Sequence, residues 1–182
     1  MEFKKTNFKG LYIFDEISHF DKRGMFQVSF SKHSFKKVLE NINFIQENIS
    51  YSKMGVIRGL HFQNPPYSQS KLLKCVSGKI LDIAVDLRKD SKTYKKYHSI
   101  ILSSKENKSI FIPKGFAHGF LVLSEYAIVH YKVDNVYSKS HESGIKYNDP
   151  ELNIHWSFDE KNIIISDKDL ALKYLENLEI LF

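Results

Sequence analysis

The stretch Ile80-Leu81-Asp82-Ile83-Ala84-Val85-Asp86-Leu87 decides the fold class of this chain. Side chains of a strand alternate between two faces, so Leu81, Ile83, Val85 and Leu87 fall on one side and Asp82, Ala84 and Asp86 on the other. The first side is core. The second carries two carboxylates on an otherwise apolar strand and admits two readings. Either it lines an interior cavity where buried charges find partners, or it faces solvent.

Outward from this strand, period-two alternation or short apolar runs bounded by turn residues recur at 11–14, 25–30, 44–50, 55–62, 71–77, 79–88, 97–102, 108–112, 119–123 and 127–134. Many short strands of this kind form antiparallel sheets closed into a sandwich or barrel. Helical spacing is confined to 34–40, with Phe35, Val38 and Leu39 on one face, and to 167–178, with Leu170, Tyr174 and Leu178 in register. The expected class is therefore all-β with short peripheral helices.

The 182 residues, 42% of them hydrophobic, suffice for one domain over 1–182, and no repeat, low-complexity tract or linker divides them. Cys75 is the single cysteine, so no internal disulfide can form, and the opening MEFKKTNFKG lacks the apolar run of a signal peptide. A cytosolic protein is expected. Apolar stretches fall far short of the roughly 20 residues a membrane helix needs, so no membrane partner is expected. The net charge of +6 comes from lysines scattered along the chain without a basic block. That pattern fits a small polyanionic ligand better than nucleic acid.

Four groups of residues can carry chemistry. In Arg58-Gly59-Leu60-His61-Phe62-Gln63 and Gln69-Ser70-Lys71, two cations able to meet phosphate or an oxyanion flank an imidazole able to take a proton near neutrality. His61 as a satisfied core histidine, with Arg58 and Lys71 as surface charges, is the plainer alternative. In Ile112-Pro113-Lys114-Gly115-Phe116-Ala117-His118-Gly119-Phe120, a Pro/Gly turn releases a strand that carries His118. Its Pro-x-Gly-x-x-His spacing resembles the second motif of cupin barrels, where the histidine can bind metal. The place of the first cupin motif reads His61-Phe62-Gln63-Asn64-Pro65, without the second histidine or the acid, which argues against a metal. In Ile128-Val129-His130-Tyr131-Lys132, alternation groups Tyr131 with Val129 and Val133, as expected of a buried tyrosine with a partnered hydroxyl. Finally, Ser166-Asp167-Lys168-Asp169 reads as a helix start with Ser166 as N-cap and Asp169 in the capping-box position.

Together with Phe20-Asp21-Lys22-Arg23-Gly24, Gln46-Glu47-Asn48, Asp82 to Arg88, and Asn148-Asp149-Pro150 followed by Trp156, these motifs resemble the dTDP-4-dehydrorhamnose 3,5-epimerase family over about residues 8–169. The resemblance implies a cupin-type jelly-roll barrel that uses no metal or organic cofactor and epimerises a nucleotide-diphosphate 4-keto-6-deoxy sugar, at C3 alone or at both C3 and C5. It also implies a homodimer whose N-terminal segment packs across its partner. By the same resemblance His61 matches the base, Asp169 the carboxylate that orients it, Tyr131 the acid on the opposite face, and Lys71 the cation near the keto oxygen. Arg23, Gln46, Asn48, Arg58 and His118 match substrate-binding positions, and Tyr137 offers a ring for the base.

The chain departs from the family at Val28, where members acting on thymidine-linked sugars are expected to carry Glu, and at Val136, where an aromatic is expected. Loss of an acid and a stacking ring points toward a GDP-linked sugar, such as a 6-deoxy-4-keto-heptose, beside the dTDP-linked one. Rival classes are a non-catalytic sugar-binding cupin, disfavoured by the joint presence of His61, Tyr131, Lys71 and Asp169, and a metal-dependent isomerase or dioxygenase, disfavoured by the missing His-x-His.

Overall fold

The computed structural model describes residues 2–182. In chain order its elements are β1 (Glu2–Lys5), β2 (Tyr12–Asp15), β3 (Ser18–Asp21), β4 (Gly24–Gln27), α1 (Lys32–Leu39), β5 (Gln46–Lys53), β6 (Ile57–Gln63), β7 (Lys71–Ser77) and β8 (Lys79–Asp86). There follow β9 (Tyr97–Ser103), β10 (Lys108–Ile112), β11 (Phe116–Val122), β12 (Tyr126–Val133), β13 (Glu142–Gly144) and α2 (Asp167–Leu170), with 3-10 turns at Glu160–Asn162 and Leu175–Asn177. One sheet has the order β1-β2-β10-β7-β12-β5 and the other β13-β6-β11-β8-β9, while β3 and β4 form a separate hairpin. All these pairings are antiparallel. The result is the cupin-type jelly roll, built as two facing sheets rather than a closed barrel.

Three apolar clusters hold the layers together. Between the sheets, Leu73, Cys75, Ile110 and Val129 from one meet Ile80, Ala84, Leu102, Phe116 and Phe120 from the other. On the far side of the five-stranded sheet, Leu81, Ile83, Val85 and Leu121 pack against Leu152, Trp156, Leu175 and Ile180 of the C-terminal segment. On the far side of the six-stranded sheet, α1 lays Phe35 and Leu39 onto Phe14, Leu72 and Phe111. The strand β8 is thus buried on both faces, and the interior reading of its carboxylates is the one realised: Asp82 is 1% and Asp86 0% exposed.

Asp86 is satisfied locally. It accepts from the Arg88 Nε at 2.8 Å and Nη2 at 2.8 Å, from the Ser91 hydroxyl at 2.6 Å and from the Thr93 hydroxyl at 2.7 Å. Burial pushes its carboxyl up, but the bonds from Arg88, Ser91 and Thr93 outweigh burial and hold it below its ordinary value.

Two sequence expectations need correction. The helix over 167–178 stops at Leu170, because Asp149 Oδ2 takes the backbone N–H of Leu175 at 2.7 Å and Lys173 bridges to Ile145. Burying Leu175 and Ile180 under the five-stranded sheet outweighs helical periodicity. The strand over 25–30 ends at Gln27, since Phe30 turns away to pack on Phe35 and Phe44. The remaining strands are found within a few residues, and α1 starts two residues earlier, capped by Ser31. Pattern did not reveal β1, β3 or β13, which carry almost no core residues.

Replacing Asp86 by Ala takes from the half-buried Arg88 guanidinium its carboxylate and from the Ser91 and Thr93 hydroxyls their shared acceptor, and urea unfolding should show a loss of about 1–3 kcal/mol. In the parent protein this stabilisation is complete above the ordinary carboxyl value of 3.8 and disappears as pH falls through the lower folded value. Asp86→Ala should show a weaker acid dependence, the part owed to Asp169 remaining.

Candidate active site

Strand register alone gathers most of the site. On the six-stranded sheet Tyr131 lies opposite Asn48 of β5, and Val133 lies opposite both Gln46 of β5 and Lys71 of β7. On the five-stranded sheet His61 of β6 pairs with His118 of β11. The two sheets face each other across a cleft of two adjoining cavities of about 320 and 290 Å3, which share His61, Lys71 and Tyr131. Gln46, Asn48 and Tyr137 line one lobe, and Arg58, His118 and Asp169 the other.

The close approach of β6 and β11 depends on a glycine. Gly59 has φ of +124°, and a Cβ there would lie 2.5 Å from the Gly119 Cα and 2.7 Å from the His118 carbonyl oxygen. Any side chain would push the strands apart and displace His61 two residues on.

His61 is fixed from outside the sheet. Its Nε2 lies 2.9 Å from Asp169 Oδ1, and the second oxygen of Asp169 accepts the Gly59 N–H at 3.2 Å. The Ser166 hydroxyl accepts the Asp169 N–H at 3.2 Å, so the helix cap and the His–Asp pair coexist in one residue. Burial raises the Asp169 carboxyl, but the bond and charge of His61, with Gly59 and Ser166, bring it below the ordinary range. With an ionised carboxylate at Nε2, the proton sits on that nitrogen and Nδ1 is left as the basic one.

Lys71 is half-buried at the junction of the two cavities. Its Nζ reaches only the His61 carbonyl oxygen, at 3.4 Å. Burial, opposed by the charges of Asp82 and Glu142, lowers its ammonium to about 8. Burial likewise raises the Tyr131 hydroxyl, which stays protonated at neutral pH. His118 Nε2 pairs with Asp82 Oδ2 at 2.8 Å, and burial outweighs that carboxylate to keep the ring's proton affinity low.

Of the ten site residues singled out in the sequence, nine border this cleft and Arg23 does not. It lies in the β3–β4 turn, 84% exposed and held to Asp21 at 2.6 Å. Val136 sits beside Tyr137 at the cleft edge, whereas Val28 lines a separate cavity with His19 and Phe35. Sequence reading overlooked Gln63, Glu142 and Lys168. Gln63 donates to the Tyr67 and Val136 carbonyls and accepts from Ser138, which fixes the loop bearing Tyr137. Glu142 accepts the Tyr137 hydroxyl at 2.8 Å and the Lys168 ammonium at 2.7 Å, tying that loop to α2. Only Gln63, adjoining the His61 motif, carried a local signal. Among the described residues no group of three or more His, Cys, Asp or Glu is arranged to hold a metal.

Comparison with known proteins agrees with this geometry. The family model for dTDP-4-dehydrorhamnose 3,5-epimerase matches residues 5–177. An enzyme of that name from Shigella flexneri is 43% identical over 167 residues, 91% of each chain. The crystal structure of dTDP-6-deoxy-D-glucose-3,5-epimerase from Legionella pneumophila, in complex with dTDP-4-keto-L-rhamnose, superposes with a TM-score of 0.93 at 37% identity, covering 98% of this chain and 94% of that one. That of the Bacillus anthracis epimerase with TDP and PPi bound gives 0.91 at 43% identity, covering 96% and 99%. By sequence over nearly its whole length and by the superposition of its sheets, the chain belongs to the dTDP-4-dehydrorhamnose 3,5-epimerase family of sugar-nucleotide isomerases.

Proposed function

We propose that the cleft inverts C3 and C5 of a nucleotide-linked 4-keto-6-deoxy sugar. The observation that carries this reading is the division of labour between sheets: His61, held by Asp169 of α2, stands on one and Tyr131 on the other, with the Lys71 ammonium reaching from the Tyr131 sheet to the His61 carbonyl. Inversion requires a proton to leave one face of the ring and return to the opposite face, so base and acid must flank the sugar.

The C4 ketone acidifies the hydrogens on C3 and C5. Nδ1 of His61 takes one of them; the C–H electrons form a carbon–carbon double bond, and the carbonyl π electrons move to O4. The Lys71 ammonium meets the charge on O4, where a preorganised cation in a dry site acts most strongly. Tyr131 then gives its proton to the carbon from the other side, the ketone reforms, and exchange with water resets both groups. Asp169 stabilises the imidazolium formed on the way. Gln46, Asn48, Arg58 and His118 supply polar contacts for the sugar and diphosphate, and Tyr137 a ring for the base.

A dTDP-linked hexose is the first reading of the substrate, because the related proteins are named for it and the Legionella structure holds such a ligand. Val136, beside Tyr137, favours a second, a GDP-linked sugar such as a heptose, since it offers no ring to a thymine. Proton NMR in D2O with both nucleotide sugars tests reaction and nucleotide together. Deuterium should enter C3 and C5, faster with the preferred nucleotide. His61→Ala should slow this by roughly 10²–10⁴-fold, while Tyr131→Phe should retain exchange at carbon and lose inversion. Absence of exchange with any 4-keto sugar would refute the reaction.

The pH profile follows from Lys71. Its ammonium is present below about 8, so turnover should fall as pH rises through that value. A profile flat to pH 10 would exclude Lys71 as the cation at O4.

A second copy of the chain is proposed to complete the site. A two-stranded hairpin is marginal alone, yet β3–β4 exposes Phe20 (74%) and Phe26 (66%), and the outer face of β5 exposes Ile49 (74%). Covering these surfaces in a homodimer would carry Arg23 from its own exposed turn to the partner's diphosphate. Light scattering should give twice the chain mass. Phe26→Asp should yield monomers, and Arg23→Ala should raise KM about tenfold or more while leaving the dimer intact.

A further inference from the structure

The β3–β4 hairpin is joined to the rest of the fold by polar contacts rather than by core. From Ile17 to Ser29 every residue is exposed except Ser18 and Gln27. A cavity of about 360 Å3 is lined jointly by Met25 and Phe26 of the hairpin, Val76 of β7 and Ser103 of β9, and another of about 230 Å3 by His19, Val28 and Phe35 of α1; Glu16 borders both. Apolar packing therefore does not fix the angle of the hairpin to the sheet. One cation does. The Lys74 ammonium, on the outer face of β7 with Leu72, donates to Glu16 Oε2 at 2.8 Å and to Gln27 Oε1 at 2.7 Å. Gln27 turns its amide nitrogen to the Ser18 hydroxyl at 3.1 Å, so both strands of the hairpin are pinned at the base, where Ser18 and Gln27 pair.

We propose that Gln27 is a positioning residue for Arg23: the Lys74–Glu16 pair grips its amide and so sets the direction in which the hairpin offers Arg23 to a second copy of the chain. The inference rests on the reading of Arg23 as a contact to the partner's diphosphate. The grip is firm because its base is buried. The Lys74 and Glu16 side chains are 12% and 4% exposed, and Glu16 Oε1 has no hydrogen-bond partner among the described residues, so parting the pair would leave both charges uncompensated. The backbone of Glu16 is held as well, its N–H donating to the Asn107 carbonyl at 2.8 Å.

The position of the grip gives it leverage. Arg23 sits at the turn, where Asp21 accepts its guanidinium at 2.6 Å and its N–H at 2.8 Å, so the side chain moves with the turn. The strand from Gln27 to the turn spans roughly 13 Å, and a tilt of about 10° at the pin carries Arg23 through about 2 Å, more than a hydrogen bond to phosphate tolerates. No neighbouring cation takes the place of Lys74. Lys108, which also borders the larger cavity, is bound to Glu106 at 2.8 Å.

The test is Gln27→Leu in the full-length protein, which releases the hairpin and leaves the buried Lys74–Glu16 pair intact. With a dTDP-linked 4-keto-6-deoxyhexose, KM should rise about three- to tenfold while kcat stays close to that of the parent. 15N relaxation of the Met25 and Phe26 amides should show larger motion than in the parent. Added to Arg23→Ala, Gln27→Leu should raise KM no further, because the two residues act through one contact. A rise in KM that multiplies with that of Arg23→Ala would mean that Gln27 acts elsewhere, and a fall in kcat at unchanged KM that it serves the fold; either overturns the proposal. So does dissociation of the Gln27→Leu protein into monomers by light scattering, which would make the grip a matter of assembly. The two readings fail separately. If Arg23→Ala leaves KM unmoved, Arg23 is not the phosphate contact and both fall; if Arg23→Ala raises KM and Gln27→Leu does not, the role of Gln27 alone is refuted.

Discussion

Two carboxylates buried inside a protein must each find partners, and in this chain both lie on β8, the strand buried on both faces. The rest of the architecture follows from how they are compensated. Asp86 is neutralised by its own neighbours: Arg88 turns back onto it, and the Ser91 and Thr93 hydroxyls close the shell. Nothing local is available to Asp82, so it reaches across to His118 on the neighbouring strand β11. One carboxylate is thereby closed within its own loop, and the other ties β8 to β11 behind His118.

The cleft itself exists because the sheets face each other without a filling side chain between Tyr131 and His61. Each sheet contributes a different kind of group. The six-stranded sheet supplies the phenol, the ammonium and the amides of Gln46 and Asn48; the five-stranded sheet supplies the imidazoles and Arg58. A rigid pair of sheets holds opposing groups at fixed separation, which is what a double proton transfer across a ring demands. The glycines at 59 and 119 let β6 and β11 approach closely enough for His61 to take its place, and the short helix α2 delivers Asp169 from outside the sheet.

Family membership accounts for the shared machinery while leaving the periphery free to vary. The loop at Val136 and Tyr137 is suspended from Gln63 and Glu142 rather than built into a sheet, so a change of side chain there leaves the strands bearing His61, Lys71 and Tyr131 in place. Surface loops on a rigid scaffold commonly divide labour in this way.

Much of this was legible in the sequence. Period-two alternation located ten of the thirteen strands, because half-buried strands write their two faces directly into the order of residues. The motifs around His61, Lys71, His118 and Tyr131 marked the cleft for the same reason: each lies on a strand and projects to one side. The sequence could not say which side of β8 was interior, since alternation separates faces without telling what covers them; the C-terminal segment under the five-stranded sheet decided that. Nor could it foresee that the helical pattern of 167–178 would break after Leu170, where burial of Leu175 and capture of its N–H by Asp149 outweighed local periodicity. Glu142 and Lys168 stayed hidden because their meeting joins segments 26 residues apart. Local order set the elements and the chemistry each could offer, and packing between distant segments determined which of those groups meet.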